Sequence, residues 1–408
     1  MDSIRRAVSF VMGNQRGGGA EDQLELPNAV ERAYVLAKTV GHRGPVLGGY
    51  QLSYTDEQKV IVTVTPSGIT MVAAETAEVI SHLCPDQGDA FTCSSVSSNL
   101  GGLIVGCQSG KVISAQLTPA DGLTVTNALQ PNLTGCVTCL ATISAFPALI
   151  AIGTETGQLC IWKPQNTPNT VTVSLSGNAL TACLSIGSEL WVAADNEGIR
   201  TLEVLSEVGL VELQVMKRNS PIDSPEGMGT VTDMVSSANH NFIICLSSCS
   251  DVFMIDRSSR LCMQRYPATL MTCGASLSSI VAVEKAEYQG STFLLLGGVD
   301  GSLCIRELNR RPRDGKLQCV LHRCFDRLSP SLKSEGEPQL DPSEGIPITS
   351  LFVASDADSD MCIAGDASCA LFAVKVKLKS LASVPVEKPE DEATSSPPPL
   401  SSGNNEVC

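Results

Sequence analysis

Apolar runs of four or five residues recur along this chain in pairs, each pair folded about a short polar connection. The pairs open at Val60, Leu103, Leu149, Leu190, Phe242, Phe293 and Met361, as in LIAIGTETGQLCIWK from Leu149. Runs of Val, Ile, Leu and Phe without polar alternation suit strands buried on both faces, and the short connection makes each pair a β-hairpin. Gly68, Gly110, Gly157, Gly198 and Gly301 stand near the return of five hairpins. Glycine reaches positive φ at no steric cost, as a tight turn requires. Asp251 and Ala370 stand there in the other two, which predicts longer or differently closed turns.

A second motif precedes the hairpins: Thr followed by a short residue, at Thr92-Cys93, Thr138-Cys139, Thr181-Ala182, Thr232-Asp233, Thr272-Cys273 and Thr349-Ser350. It reads as a first strand. Thr272 lies much further from its hairpin than the others do, which predicts an insertion over Ala282–Ser291. Polar strands follow several hairpins, at Leu123–Leu129, Thr170–Leu175, Gly209–Met216 and Leu261–Tyr266. Four strands per unit, repeated at 41 to 68 residues, describe the blades of a β-propeller. The seventh unit lacks a fourth strand, and Ala33–Val40 is a free one. The expected fold is therefore all-β: a single seven-bladed propeller of four-stranded antiparallel blades over 33–379, closed by an N-terminal strand. Residues 1–32 form an extension with a short helix carrying Ile4, Val8, Val11 and Met12 on one face. Residues 380–408, rich in Pro, Ser and Glu, cannot bury a core and are expected to be disordered.

Over residues 33 to 376 the pattern resembles the WD-repeat family. The residues that carry the likeness are the Thr-Cys and Thr-Ser first strands, the turn Gly298-Val299-Asp300-Gly301, Ile161-Trp162 at the end of a third strand, and Gly41-His42 before Pro45-Val46. No Trp-Asp dipeptide occurs. The resemblance implies blades stiffened by a buried Asp–His–Ser/Thr–Trp network, of which no blade holds every member, and it implies a role in holding other proteins.

Charge narrows the partners. A net charge of −15 disfavours nucleic acid as the main ligand, since phosphate binding needs clustered Lys and Arg. One such cluster exists, in Arg306–Lys316, expected to be the third-to-fourth-strand loop of the sixth blade. Its Arg310, Arg311, Arg313 and Lys316 are the candidate partner-binding residues. Two further long connections, Lys217–Gly229 and Phe325–Pro347, join consecutive blades and belong on the opposite face, beside the hairpin turns.

Seventeen cysteines without framework spacing, no apolar leader and no run long enough to span a bilayer predict free thiols in a reducing compartment, the cytoplasm ahead of the nucleus. No phosphate-cradling loop, nucleophile elbow or paired-carboxylate motif is found. Cys136 and Cys139 fall on opposite faces of a strand, and Cys319, His322 and Cys324 read as an outer strand, so no metal or cofactor is expected. The sequence thus points to a non-enzymatic protein-interaction scaffold within a multiprotein assembly. The alternatives are a peripheral membrane-trafficking factor whose N-terminal helix or Arg-rich loop contacts anionic lipid, a ribosome or RNA-particle assembly factor, and, last, an enzyme centred on the propeller channel. Oligomeric state is not legible.

Overall fold

In the computed structural model the paired apolar runs are neighbouring strands of antiparallel four-stranded sheets. It describes residues 30–35 and 41–375, less 55–57, 77, 98–101, 119–120, 130–132, 165–169, 208–209, 215–228, 238, 268–279, 289–290, 311–316, 326–327, 329–345 and 356–359. The expected N-terminal helix and the C-terminal tail lie outside these residues. Every regular element among the described residues is a strand.

Strand β1 (Val30–Val35) comes first. Sheet one holds β2 (Gly48–Ser53), β3 (Lys59–Thr65), β4 (Gly68–Ala73) and β5 (Val79–Leu83). Sheet two holds β6 (Phe91–Ser97), β7 (Gly102–Cys107), β8 (Val112–Thr118) and β9 (Gly122–Leu129). Sheet three is β10 (Val137–Thr142), β11 (Ile150–Thr154), β12 (Gln158–Trp162) and β13 (Thr170–Ser174). Sheet four is β14 (Leu180–Ile186), β15 (Glu189–Ala194), β16 (Gly198–Glu207) and β17 (Leu210–Gln214). Sheet five is β18 (Val231–Ser236), β19 (Phe242–Ser247), β20 (Val252–Asp256) and β21 (Cys262–Tyr266). Sheet six is β22 (Ile280–Tyr288), β23 (Ser291–Gly298), β24 (Leu303–Arg310) and β25 (Leu317–Phe325). The last sheet takes β26 (Ile348–Ser355), β27 (Asp360–Asp366) and β28 (Ala370–Lys375), and β1 pairs with β28 from Val30 opposite Val374 to Val35 opposite Ala370. First strands of successive sheets touch, and β26 also touches β2. The architecture is a β-propeller.

The Thr motif has a mechanical meaning. In β6, β10, β14, β18 and β26 the register with the second strand shifts across the Thr, so that Thr92, Thr138, Thr181, Thr232 and Thr349 each occupy a bulge. A bulge re-aims a side chain, and here four of the hydroxyls reach the next sheet. Thr92 donates to the Val137 carbonyl at 2.6 Å, Thr181 to Val231 at 2.6 Å, Thr349 to Val46 at 2.9 Å, and Thr138 to Leu180. The acceptor is each time the apolar residue at the same place in the neighbouring sheet. Among the described residues Thr232 donates to Leu246 of its own sheet, at 3.3 Å. Sheet one carries Leu47 in place of Thr, and its link to sheet two is Tyr50 Oη to Ser94 Oγ at 3.0 Å.

Close approach at these joints demands small residues. A Cβ at Gly106, opposite Cys93, would lie 2.5 Å from Val137 Cγ1 and 2.9 Å from Cys93 Sγ. One at Gly365 would lie 2.6 Å from Val46 Cβ. The core is accordingly laid down between sheets rather than at one centre. Val60, Val62 and Ile69 of sheet one pack with Leu103 and Val105 of sheet two, while Phe352, Ile363 and Leu371 of the last sheet pack with Ile61 and Val72 of the first.

Four expectations are corrected. The turns at Asp251 and Ala370 are not differently closed: the left-handed residues are Ser250 (φ 65°) and Cys369 (φ 66°), one position earlier. Each amide donates to the carbonyl three residues back, as Gly110, Gly157 and Gly301 do. The first strand of sheet six is β22, not a strand at Thr272. Ala282–Ser291 is therefore no insertion, since Ala282 pairs with Gly297 and Tyr288 with Ser291. The shift between Ile280 and Ala282 puts Val281, without a hydroxyl, where other sheets have Thr. The N-terminal strand begins at Val30 rather than Ala33. Arg306 belongs to β24 and not to a loop; it is buried and donates from Nη1 to the Cys319 carbonyl at 3.3 Å.

Two substitutions test the joint. Thr92→Val, which keeps shape and removes the donor, is expected to cost about 1 kcal/mol in urea denaturation. Gly106→Val, which overfills the same joint, is expected to cost roughly 1–3 kcal/mol or more. An unchanged midpoint for both would show that the joint does not carry stability.

Candidate interaction surfaces

The inner strands enclose a channel cavity of about 510 Å³. Its wall is short and mostly neutral: Ser94, Ser95, Ser350 and the joint threonines, with Cys93, Cys139 and Cys183 among them. Asp233 is the one charged side chain among its described lining residues. The threonine hydroxyls are already committed to neighbouring carbonyls, and Cys139 Sγ lies 3.0 Å from Cys183 Sγ across the joint of sheets three and four.

One face carries the hairpin turns together with the connections between sheets. The described ends of the long connections lie on it. Thr230 N–H and its carbonyl meet Ser248 of the sheet-five turn, and Leu328 N–H donates to Gly301 of the sheet-six turn. This face is acidic, and its acids are spent on the turns themselves. Asp89 accepts from Ser109 Oγ at 2.5 Å, Ser109 N at 3.0 Å and its neighbour Ala90 N at 2.8 Å. Asp300 accepts from Ser302 N at 3.0 Å and Asp366 from Ala370 N at 2.9 Å. Asp195 accepts from Thr230, and Asp251 is bridged by Arg265. Glu197 gathers Ser176 Oγ at 2.7 Å, Asn178 Nδ2 at 3.1 Å and Arg200 at 2.5 Å.

The opposite face carries the other loops and the cationic candidates. Arg310 is the last residue of β24 and pairs with Leu317 of β25, beyond the reach of β23, whose last partner on that side is Leu308. Arg311, Arg313 and Lys316 lie outside the described residues, in the connection that the Arg310–Leu317 pair closes. The same side holds two arginines that the sequence reading passed over. Arg257 and Arg260 flank a tight turn between β20 and β21 and line a cleft of about 130 Å³ against sheet four. Arg257 Nε meets Glu189 at 2.9 Å, Arg260 Nη2 meets it at 3.9 Å, and the Arg260 guanidinium stands 5.7 Å from the Trp191 ring. Glu203 also lines the cleft, so its two guanidinium groups are balanced by two carboxylates. The signal available was the spacing Arg-Ser-Ser-Arg at a turn, which composition alone does not separate from an ordinary solvated loop.

Pieces of the family's buried network are present but not assembled. His42 Nδ1 and Thr70 Oγ1 are 2.9 Å apart in sheet one, and burial lowers the His42 pKa. Trp162 is fully buried at the end of β12, yet its Nε1 has no hydrogen-bond partner. Cys319 is on the outer strand β25, and no metal-holding group of three or more His, Cys, Asp or Glu occurs among the described residues.

No protein-family model matches the chain, and no curated protein matches it by sequence. Solved structures do. A chain of "Crystal Structure of Mitotic Checkpoint Complex" is similar with a TM-score of 0.58 at 11% identity, over 89% of this chain and 99% of that one. The computationally designed Ika8 protein is similar with a TM-score of 0.54 at 12% identity, over 82% and 97%. At such identities the likeness is one of fold: this is a β-propeller protein.

The turn acids make stability depend on pH. Partial burial opposes the charge on Asp89, but the Ser109 and Ala90 donors outweigh it and hold its pKa below the usual 3.8. The Ser176 hydroxyl, against some burial, leads in holding Glu197 below 4.5, with Arg200 assisting. A carboxylate whose folded pKa is depressed contributes stability above its unfolded value and loses it as pH falls through the folded one. Thermal melts taken from roughly pH 6 to pH 3 should therefore fall most steeply below about pH 4.5. Asp89→Asn together with Glu197→Gln should flatten that fall; an unchanged profile would assign it to other groups.

Proposed function

We propose that this chain is a non-enzymatic protein-interaction scaffold, working within a multiprotein assembly in the cytoplasm. In this reading it is one seven-bladed ring whose last blade is completed by β1, and it is a divergent relative of the WD-repeat family. The observation that carries the proposal is the set of threonine joints. They tie successive inner strands together and spend the polar groups of the channel on the ring itself. A body braced in this way offers partners its faces and projecting loops, and long loops on a rigid scaffold are where binding concentrates. The Gly41-His42 and Thr70 contact, the bulged Thr strands and the propeller-like solved structures support the family reading.

The partner we assign to the cationic side is an acidic protein segment. It meets Arg310, Arg311, Arg313 and Lys316 at the end of the β24–β25 ribbon. The acidic turn face, with its carboxylates committed to amides and hydroxyls, repels such a segment and so fixes which side is used. Tagged full-length chain recovered from cells, with its partners identified by mass spectrometry, should lose a defined partner about tenfold or more when Arg310, Arg311 and Arg313 are changed to Glu. The melting temperature should stay within about 1 °C, since these are loop-end positions. Retention of every partner by the folded triple variant would overturn the assignment of this surface.

A further inference from the structure

Among the described cysteines, Cys245, Cys304 and Cys362 are wholly or almost wholly buried in strands. One pair differs. Cys139 on β10 and Cys183 on β14 come from adjacent sheets, 44 residues apart, and their sulfurs are 3.0 Å apart. Both residues line the channel cavity, Cys139 buried and Cys183 half-buried. Cys139 Sγ also rests over Gly153, where a Cβ would lie 2.5 Å from it. The bare glycine leaves the sulfur its place at the joint.

We propose that Cys139 and Cys183 form an oxidation site: a dithiol that a peroxide entering the channel converts to a disulfide linking sheets three and four. The chemistry closes without further reagents. The Cys183 thiolate, the more exposed, attacks a peroxide oxygen; an S–O bond forms, the O–O bond breaks, and the leaving hydroxide is protonated to water. The Cys139 thiol then attacks the sulfenic sulfur: an S–S bond forms, its proton passes to the departing oxygen, and a second water leaves. Two thiols and one hydrogen peroxide give one disulfide and two waters. Two electrons pass from sulfur to oxygen, and a thiol reductant reverses the step. The thiol–thiol hydrogen bond, with burial, raises the Cys139 pKa. Cys139 is therefore the partner held protonated, which leaves the more exposed Cys183 sulfur as the first to meet peroxide. The new bond would span the joint already held by Thr138 and Leu180, locking two neighbouring blades across the channel.

The test uses the reduced full-length chain exposed to hydrogen peroxide, acid-quenched, alkylated and digested without reductant. The expected result is a linked peptide pair containing Cys139 and Cys183, an intact mass lower by about 2 Da, and a melting temperature raised by a few degrees. All three should reverse with dithiothreitol. Cys183→Ser should show none of them while melting like the reduced parent before oxidation. Complete alkylation of both thiols after peroxide would overturn the proposal. So would sulfinic acid at Cys183 without a link, or the same melting shift in Cys183→Ser. The linked peptide is read in the parent chain, so the test does not depend on any variant folding.

Discussion

The contact on which this architecture depends is a threonine hydroxyl, turned sideways by a bulge, donating to the backbone of the next sheet. A first strand in regular register sends its side chains alternately to its two faces, toward the sheets on either side. The register slip at Thr92, Thr138, Thr181 and Thr349 re-aims one hydroxyl onto the backbone of the next sheet. It also sets what surrounds it. The residue before the next threonine must offer its carbonyl and bring its apolar side chain against the second strand. That strand is consequently bare at Gly106, Gly153 and Gly365. Bulge, donor, carbonyl and glycine are thus one device written across two sheets.

Where the device is incomplete, other groups take its place. Sheet one has Leu47 instead of Thr and is joined to sheet two by Tyr50 and Ser94. At the other end of the inner strands Thr142 donates to Val96 at 2.7 Å and Ser144 to Ser185 at 3.1 Å, so sheets two, three and four are tied at both ends. Each bond exchanges a water partner for a protein one and is worth about 1 kcal/mol. Their larger effect is geometric, because they fix the spacing at which the apolar faces of neighbouring sheets interdigitate. The threonine hydroxyls of the inner wall are consumed in this bracing, and the carboxylates of Asp89, Asp300 and Asp366 hold the turns. On the opposite side Arg257 and Arg260 are paired with Glu189.

Much of this was legible because propeller strands are dense apolar runs separated by turn chemistry. The hairpins, the Thr strands and the polar outer strands at Thr170 and Leu261 are visible as sequence patterns. What failed did so for identifiable reasons. Ser250 and Cys369 take left-handed backbone that a search for glycine overlooks, so those turns were read one residue late. The first strand of sheet six has Val281 in the threonine position, and a pattern anchored on Thr drew the eye to Thr272. Arg306 was assigned to a loop because it is charged; its guanidinium is instead carried inside β24 by a backbone acceptor on β25. The Arg257–Arg260 cleft and the Cys139–Cys183 contact were beyond reach for a different reason. Each is made by residues from two sheets, and no single-sheet pattern encodes the pairing.

The joints act on a different scale from contacts inside a blade. A buried side-chain network within a blade stiffens that blade; among the described residues His42 and Thr70 make such a contact, while Trp162 is buried with its indole nitrogen unpaired. Losing it costs one blade a few hydrogen bonds, a local loss that apolar packing on both faces can absorb. Losing the joints would act between blades, on the spacing at which the apolar faces of neighbouring sheets meet. Selection for the architecture alone would therefore hold the short residue after the bulge, the threonine and the opposing glycine while the intrablade polar groups drift.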